Sequence, residues 1–403
     1  MAYRDIDVCP NKETSAVLKE VKKFAVEFMR PAGIALDQLA SPAQALQDDS
    51  PLWEMFSRYR KLDLHALDIP EEQGGLGKAD WMTSTLIAET LGYGDAGLAV
   101  SLVSAGLPFQ CAARLDVKKV KEILTSYCES GDCPTIACTY LSCLNFMQDH
   151  SSRNGSDKLP VTATPDKGKY VLNGTTPPLP NAPFATHVFL EFTINLKNSP
   201  PRTALAVIPL DSPGVSRKAP LDVSGQRSLL RAALEFKDLK ITKGNILTDE
   251  DAVLKGLHKD YVVRLNQCLG LVFCGLAMSA FDQTLEYSRG RIQGGVPIFS
   301  HKNIKLQFFK MFKMIEAARA NARRLACHYH DCSVECSLAH ALAAKCLSTE
   351  TAVMAASEAI QILGGYGLTR EFPMEKLFRD AHAAMIEHGV NQDLALEAME
   401  CFK

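Results

Sequence analysis

Near the C-terminus, the run Ile386-Glu387-His388-Gly389-Val390-Asn391-Gln392 sets a carboxylate beside an imidazole, directly ahead of a glycine. Both side chains are candidates for general acid–base work. An imidazole titrates close to working pH, and a carboxylate in an apolar pocket has its pKa raised toward a useful range. The competing reading is structural. Gly389 has the pattern of a helix C-cap, where a histidine is favourable against the helix dipole. Gly364-Gly365 reads as the end of a helix in close packing. Asp95, in Gly94-Asp95-Ala96, suits an unconventional acid or base, or a helix cap. The 13 cysteines contain no CxxC pair and no close Cys/His knuckle. Cys128, Cys133, Cys138 and Cys143 recur every five residues, which fits neither a helix face nor a zinc spacing. They read as reduced, mostly buried thiols of a cytoplasmic or organelle-matrix protein.

These residues need elements to position them. At roughly 100–200 residues per domain, 403 residues predict two to four domains around a large core. Lys plus Arg is 44 against 46 for Asp plus Glu, so no basic excess exists to grip a nucleic-acid backbone. No uninterrupted apolar run of about 18 residues argues for a membrane span. Residues 1–132 read as helical: Val21, Phe24, Ala25 and Phe28 share one face of Lys19–Met29, Asp80–Leu91 is a second helix, and Ser101–Leu124 supplies a third and fourth. Pro70 and Gly74-Gly75 mark a turn. Residues 133–248 change to short β-branched runs. Tyr170-Val171-Leu172 into Asn173-Gly174 predicts a strand entering a turn, and His187–Ile194, Thr203–Leu210 and Ala232–Ile241 predict further strands. Ser151–Asp157 reads as a surface loop. Residues 249–403 return to helix, with Tyr261–Arg289 nearly continuously apolar and Ile304, Phe308, Met311, Phe312, Ile315 and Ala318 forming one stripe. The order predicts a β domain set between two helical ones.

The segment Gln361-Ile-Leu-Gly-Gly-Tyr-Gly-Leu-Thr-Arg-Glu-Phe-Pro-Met-Glu-Lys-Leu-Phe-Arg-Asp380 resembles the C-terminal signature of the flavin-dependent acyl-CoA dehydrogenases. Three further segments match in the same order: Ile69–Gly77, Tyr170–Asn181, and Leu234–Leu239 followed by Gly244–Leu247. The resemblance spans about residues 15 to 400. It implies an α+β fold of the acyl-CoA dehydrogenase type: an N-terminal helical domain, a middle β-barrel-like domain and a C-terminal four-helix bundle. It implies FAD as cofactor, an acyl-CoA substrate, and electron-transfer flavoprotein or another acceptor as partner. It also implies a homo-oligomer and leaves a hetero-oligomer open. By resemblance, Gln361, Gly364 and Gly365 lie against the dinucleotide part of FAD from a neighbouring subunit, and Arg291 reaches its pyrophosphate. Thr139, Ser156 and Gln392 match positions at or near the flavin.

The reaction this implies removes a proton α, and a hydride β, to a thioester carbonyl. It needs a base across the substrate from the flavin and donors to the carbonyl oxygen. The sequence departs from the family there. Tyr140-Leu141 stands where Glu-Pro is usual, and Pro178-Leu179-Pro180 replaces the aromatic-Ile-Thr/Ser that contacts the flavin, with prolines that cannot donate an N–H. Aligning Gly389 puts His388 at the position of the family's glutamate base and Glu387 one residue early. The alternative base position on the helix starting near Tyr261 holds Leu265 or Asn266. Three readings stay open: His388 as base, Glu387 as base, or no dehydrogenation. Beside them stand three functions: a flavoenzyme performing α,β-dehydrogenation of an acyl-CoA or a variant such as decarboxylation or 1,4-dehydrogenation, a non-catalytic or composite-site subunit of a heteromeric assembly, and a flavin oxidase or monooxygenase acting on a non-CoA substrate.

Overall fold

A computed structural model describes residues 6–77, 80–115, 117–129, 134–142, 159–197, 199–331 and 338–402. The N-terminal third is helical: α1 (Lys12–Phe24), α2 (Arg30–Asp37), α3 (Pro51–Lys61), α4 (Trp81–Gly94), α5 (Ala96–Ala112) and α6 (Lys118–Cys128). A single π turn, Ala25–Met29, joins α1 to α2. Pro31 follows immediately and has no N–H to give the preceding turn, a recognised cause of such a break. Asp80 caps α4 by accepting from the Thr83 N–H at 2.6 Å, and Asp95 caps α5 by accepting from the Leu98 N–H at 2.9 Å.

The middle third is a curled eight-stranded sheet. Its strands are β1 (Ala137–Tyr140), β2 (Val161–Asp166), β3 (Lys169–Thr175), β5 (His187–Ile194), β6 (Arg202–Pro209), β7 (Val215–Arg217), β9 (Leu234–Thr242) and β10 (Ile246–Thr248); β4 (Leu179–Pro180) and β8 (Arg231–Ala232) form a separate pair. The sheet order is β10-β6-β5-β2-β3-β9-β7, with β1 parallel to β5. Asn173-Gly174 does not form the expected turn. Both lie inside β3, where the register against β9 shifts and Gly174 takes φ +139°; a Cβ there would sit 2.1 Å from the Pro160 carbonyl oxygen. The turn comes earlier, at Lys167-Gly168, with both φ angles positive as a tight hairpin requires.

The last third is a helical bundle: α7 (Asp251–Gly290), a small hairpin of β11 (Ile292–Gln293) and β12 (Val296–Pro297), then α8 (Lys302–Asp331), α9 (Leu338–Leu363), α10 (Met374–Ala384) and α11 (Asn391–Glu400). At 1.5 Å per residue, α7 is about 60 Å long and is the axle on which the other helices pack. By length and composition α7 can cross a membrane, but 83% of its most apolar window is buried inside the protein. It meets α4 through glycine. A Cβ on Gly92 would sit 2.0 Å from the Val272 carbonyl oxygen, and one on Gly275 would sit 2.1 Å from that of Glu89. Two backbones this close accept no side chain between them. A buried ion cluster fixes the same face: Glu89 on α4 takes Arg323 through Nε at 2.8 Å and a terminal nitrogen at 2.6 Å, and Arg319 at 3.3 Å, both from α8. One hydrophobic core runs continuously from α1 through the sheet to α10.

Candidate functional site

A crevice of ≈ 620 Å³ opens between the β region and the bundle. Its β-side wall comes from Thr139-Tyr140, Pro177–Pro180, Val223–Gly225 and Arg231; its bundle wall comes from Phe378, Arg379, His382 and Ala383 of α10 and from Ile386–Gly389. Each wall has a local reason. β1 is held parallel to β5 with Thr139 opposite Phe189, which brings Thr139 to the strand end. β4 pairs with β8 so that Pro180 lies opposite Arg231. Directly paired residues project to the same face, so the short ribbon places a proline ring and a guanidinium side by side.

α10 is pinned to the rest by charge. Lys376 Nζ lies 2.6 Å from both Asp95 Oδ2 and Asp380 Oδ2, and Ser228 Oγ donates to Asp95 Oδ1 at 2.8 Å. Burial lowers the Lys376 pKa, but the two carboxylates outweigh it and raise it overall. Both oxygens of Asp95 are thus engaged in a buried structural pair, which leaves it the capping role rather than an acid–base one. Arg379 is fixed by Asp37, with two contacts of 2.8 Å, and by Glu375 at 2.7 Å.

α10 ends at Ala384, five residues before Gly389, so Gly389 is not its C-cap. The chain instead turns through Met385–Gly389, with His388 in the left-handed region at φ +47° and Gly389 at φ +129°. A non-glycine residue there marks a backbone held by its surroundings. Those surroundings are visible. Lys345 on α9, fully buried, donates through Nζ to the Gly389 carbonyl at 2.9 Å and to Asn391 Oδ1 at 2.8 Å. Asn391 Nδ2 donates to Thr349 Oγ1 at 2.9 Å. Burial lowers the Lys345 pKa to about 8. On the other side, Glu387, 5% exposed, pairs with Arg231 of β8.

The His388 ring lies beside this pair. Its Nε2 is 3.5 Å from Glu387 Oε1 but is enclosed without a hydrogen-bond partner, and its backbone N–H makes no hydrogen bond among the described residues. Burial lowers its pKa; Glu387 opposes this, while Arg231 and Lys345 add to it. Across the crevice, Thr139 Oγ1 is likewise buried and without a partner. Buried polar atoms of this kind are rare unless something else satisfies them. No cluster that could hold a metal ion occurs among the described residues.

A second groove, of ≈ 760 Å³, brings together Arg291, Gln361, Gly364 and Gly365 with Tyr287 and Tyr366. The Arg291 guanidinium stands 5.7 Å from the Tyr366 ring centroid. Cβ atoms added to Gly364 or Gly365 would meet nothing within 4 Å, so the backbone here faces open space. No described residue lines both groove and crevice. The predicted residues therefore divide. Thr139, Glu387 and His388 share the crevice; Arg291, Gln361, Gly364 and Gly365 share the groove. Gln392 sits exposed on the first turn of α11 and lines neither, because Asn391 one residue earlier is the one turned inward. Ser156 and the Ser151–Asp157 loop lie outside the described residues. Leu265 and Asn266 are fully buried in α7 and line neither space. Sequence reasoning missed Arg231 and Lys345. Lys345 carried a signal, the single Lys or Arg among the small apolar residues of Ala339–Leu363; Arg231 carried none.

The set fits a flavin. The crevice offers the apolar Pro178–Pro180 wall and an unsatisfied hydroxyl at Thr139, and the groove offers a cation beside open glycine backbone suited to a phosphate-bearing tail.

Comparison with known proteins agrees. The family model described as acyl-CoA dehydrogenase, N-terminal domain matches residues 11–113, and the one for the C-terminal domain matches 264–397. A probable acyl-CoA dehydrogenase of Bacillus subtilis (strain 168) is 27% identical over 392 residues, covering 94% of this chain and 95% of that protein. The cyclohexane-1-carbonyl-CoA dehydrogenase of Geobacter metallireducens is 30% identical over 242 residues, covering 59% and 62%. Among solved structures, the butyryl-CoA dehydrogenase of Megasphaera elsdenii superposes with a TM-score of 0.85 at 22% identity, covering 98% of this chain and 100% of that one. A nitroalkane oxidase also reaches 0.85, at 15% identity, covering 98% and 96%. Both likenesses show a shared fold.

Proposed function

The chain belongs to the acyl-CoA dehydrogenase family, and from that premise we propose that it oxidises an acyl-CoA thioester with FAD, His388 serving as the base. Membership supports the coarser statement, a flavin-dependent oxidoreductase acting on acyl-CoA. The observation that carries the finer one is the pairing of unsatisfied groups across the crevice: Thr139 Oγ1 on the β side, and the backbone N–H of His388, beside its ring, on the bundle side.

The α carbon of a thioester is a weak acid, so charge develops on the carbonyl oxygen as the α C–H bond breaks. The His388 backbone N–H donates to that oxygen. The His388 imidazole, kept neutral by burial, accepts the α proton. The C–H electron pair becomes the new double bond as hydride leaves the β carbon. When bound, FAD would supply the acceptor for that hydride, and the Pro178–Pro180 wall and Thr139 would hold it. Glu387 is engaged by Arg231, which favours His388 over it as the base. Electron-transfer flavoprotein or another acceptor would be the partner that takes up the electrons.

A composite arrangement is favoured by one observation. The Arg291 groove and the crevice share no described residue, which supports a homo-oligomer in which the groove of one copy would serve a flavin seated in the crevice of another. The test is direct. The purified protein should be yellow, and adding butyryl-CoA or cyclohexane-1-carbonyl-CoA without oxygen should bleach it. A colourless protein that gains flavin only from a co-purified partner chain supports the non-catalytic-subunit reading instead. A yellow protein that bleaches only with non-CoA substrates supports the oxidase reading.

A further inference from the structure

We propose that Arg231 is a positioning residue: through its ion pair with Glu387, it fixes the imidazole of His388 against the crevice from the β side. This rests on the reading of His388 as base. Arg231 comes from β8, not from the bundle that carries the base, and is 17% exposed. It is itself aimed by its neighbours. Its terminal nitrogens reach Gln226 Oε1 at 3.3 Å and the Leu229 carbonyl at 3.4 Å, and Gln226 is bonded in turn to Asp380 of α10. One Glu387 oxygen meets Arg231; the other lies 3.5 Å from His388 Nε2. Catalytic contacts of this length often tighten in the substrate complex. A hydrogen bond there puts the ring proton on Nε2 and leaves Nδ1 bare to accept one.

The arrangement answers a problem set by the backbone. His388 is left-handed and lies beyond the end of α10, so no helix geometry aims its ring. The loop is held from two sides, by Lys345 of α9 at the Gly389 carbonyl and by Arg231 at Glu387. Glu387 by itself would draw a proton onto His388 and spoil it as a base. Arg231 offsets that charge while keeping the carboxylate in place. The charged and titratable groups around the ring are Glu387 on its own loop, Arg231 from β8 and Lys345 from α9, with Arg379 and His382 of α10 lining the same crevice.

The experiment follows the His388 ring in full-length protein labelled with 15N-histidine, its signal among the 10 histidines assigned by loss in His388→Asn. In Arg231→Gln the titration midpoint of His388 should rise; in Arg231→Lys it should return toward the parent; in Glu387→Gln it should fall. Anaerobic bleaching should slow in Arg231→Gln, on the order of the 10²-fold that a misplacement of about 1 Å costs, and recover in part in Arg231→Lys. Should Arg231→Gln not fold, Glu387→Gln decides by itself. A His388 midpoint unchanged in Glu387→Gln, or in a folded Arg231→Gln, overturns the proposal. A midpoint that moves while His388→Asn bleaches at the parent rate leaves the positioning intact and removes the base.

Discussion

Replacing His388 by asparagine separates chemistry from scaffold. The residue sits at φ +47°, a conformation asparagine tolerates better than most side chains, so the loop through Gly389 should keep its Lys345 and Asn391 contacts. The backbone N–H remains. What is lost is the imidazole, which burial holds below the usual histidine range and so neutral at pH 7. A positioned general base is worth about 10²- to 10⁴-fold, which at about 1.36 kcal/mol per decade is about 2.7–5.4 kcal/mol of barrier. The assay is stopped-flow decolourisation by butyryl-CoA without oxygen, with urea unfolding run alongside. The bleaching rate should fall by that factor while stability changes by no more than about 1 kcal/mol, the typical effect of a point substitution. In the parent, the rate should climb with pH through a midpoint below 6.5 and be level at neutrality, since deprotonation creates the base and the pKa is lowered. A variant rate within about tenfold of the parent, under about 1.4 kcal/mol, refutes His388 as base.

Other perturbations test the scaffold and the cofactor groove. Glu89→Gln strips the shared carboxylate from Arg319 and Arg323, which are 5% and 3% exposed; breaking a buried pair costs about 3–5 kcal/mol, to be read by denaturant unfolding. Gly275→Ala drives a Cβ to 2.1 Å from the Glu89 carbonyl oxygen; the α4–α7 crossing must spread, at about 1–3 kcal/mol or more, visible in a thermal melt. Arg291→Ala should lower flavin retention through gel filtration without changing the fold seen by circular dichroism. His65 has its pKa lowered to about 4 by burial and by the charge of Arg60. Its unfolded form binds a proton below about 6.5 that the folded form refuses, so stability should decline as pH falls from 6.5 toward 4; His65→Gln should flatten that limb of the unfolding profile.

The α–β–α order and most elements were legible because their periodicities are local. His187–Ile194 was read to the residue, and the apolar run from Tyr261 lies within α7, with Asp251 as its start. Family segments such as Gln361–Asp380 identified the fold because they recur in order along the chain. Asn173-Gly174 misled because a turn dipeptide also suits a bulge, and only the pairing of β3 with β9 decides between them. The site was half legible. His388 and Glu387 were found by aligning Gly389 with the family's signature, and Gly364-Gly365 by the same resemblance. Sequence could not show that Glu387 is taken by an arginine 156 residues away, that Asp95 is consumed by Lys376, or that Gln392 faces outward. Side-chain chemistry travels with the residue and is fixed once the chain is written. Which buried charge meets which, and so which group is left unsatisfied to do work, depends on contacts between distant elements, and only the folded chain makes those.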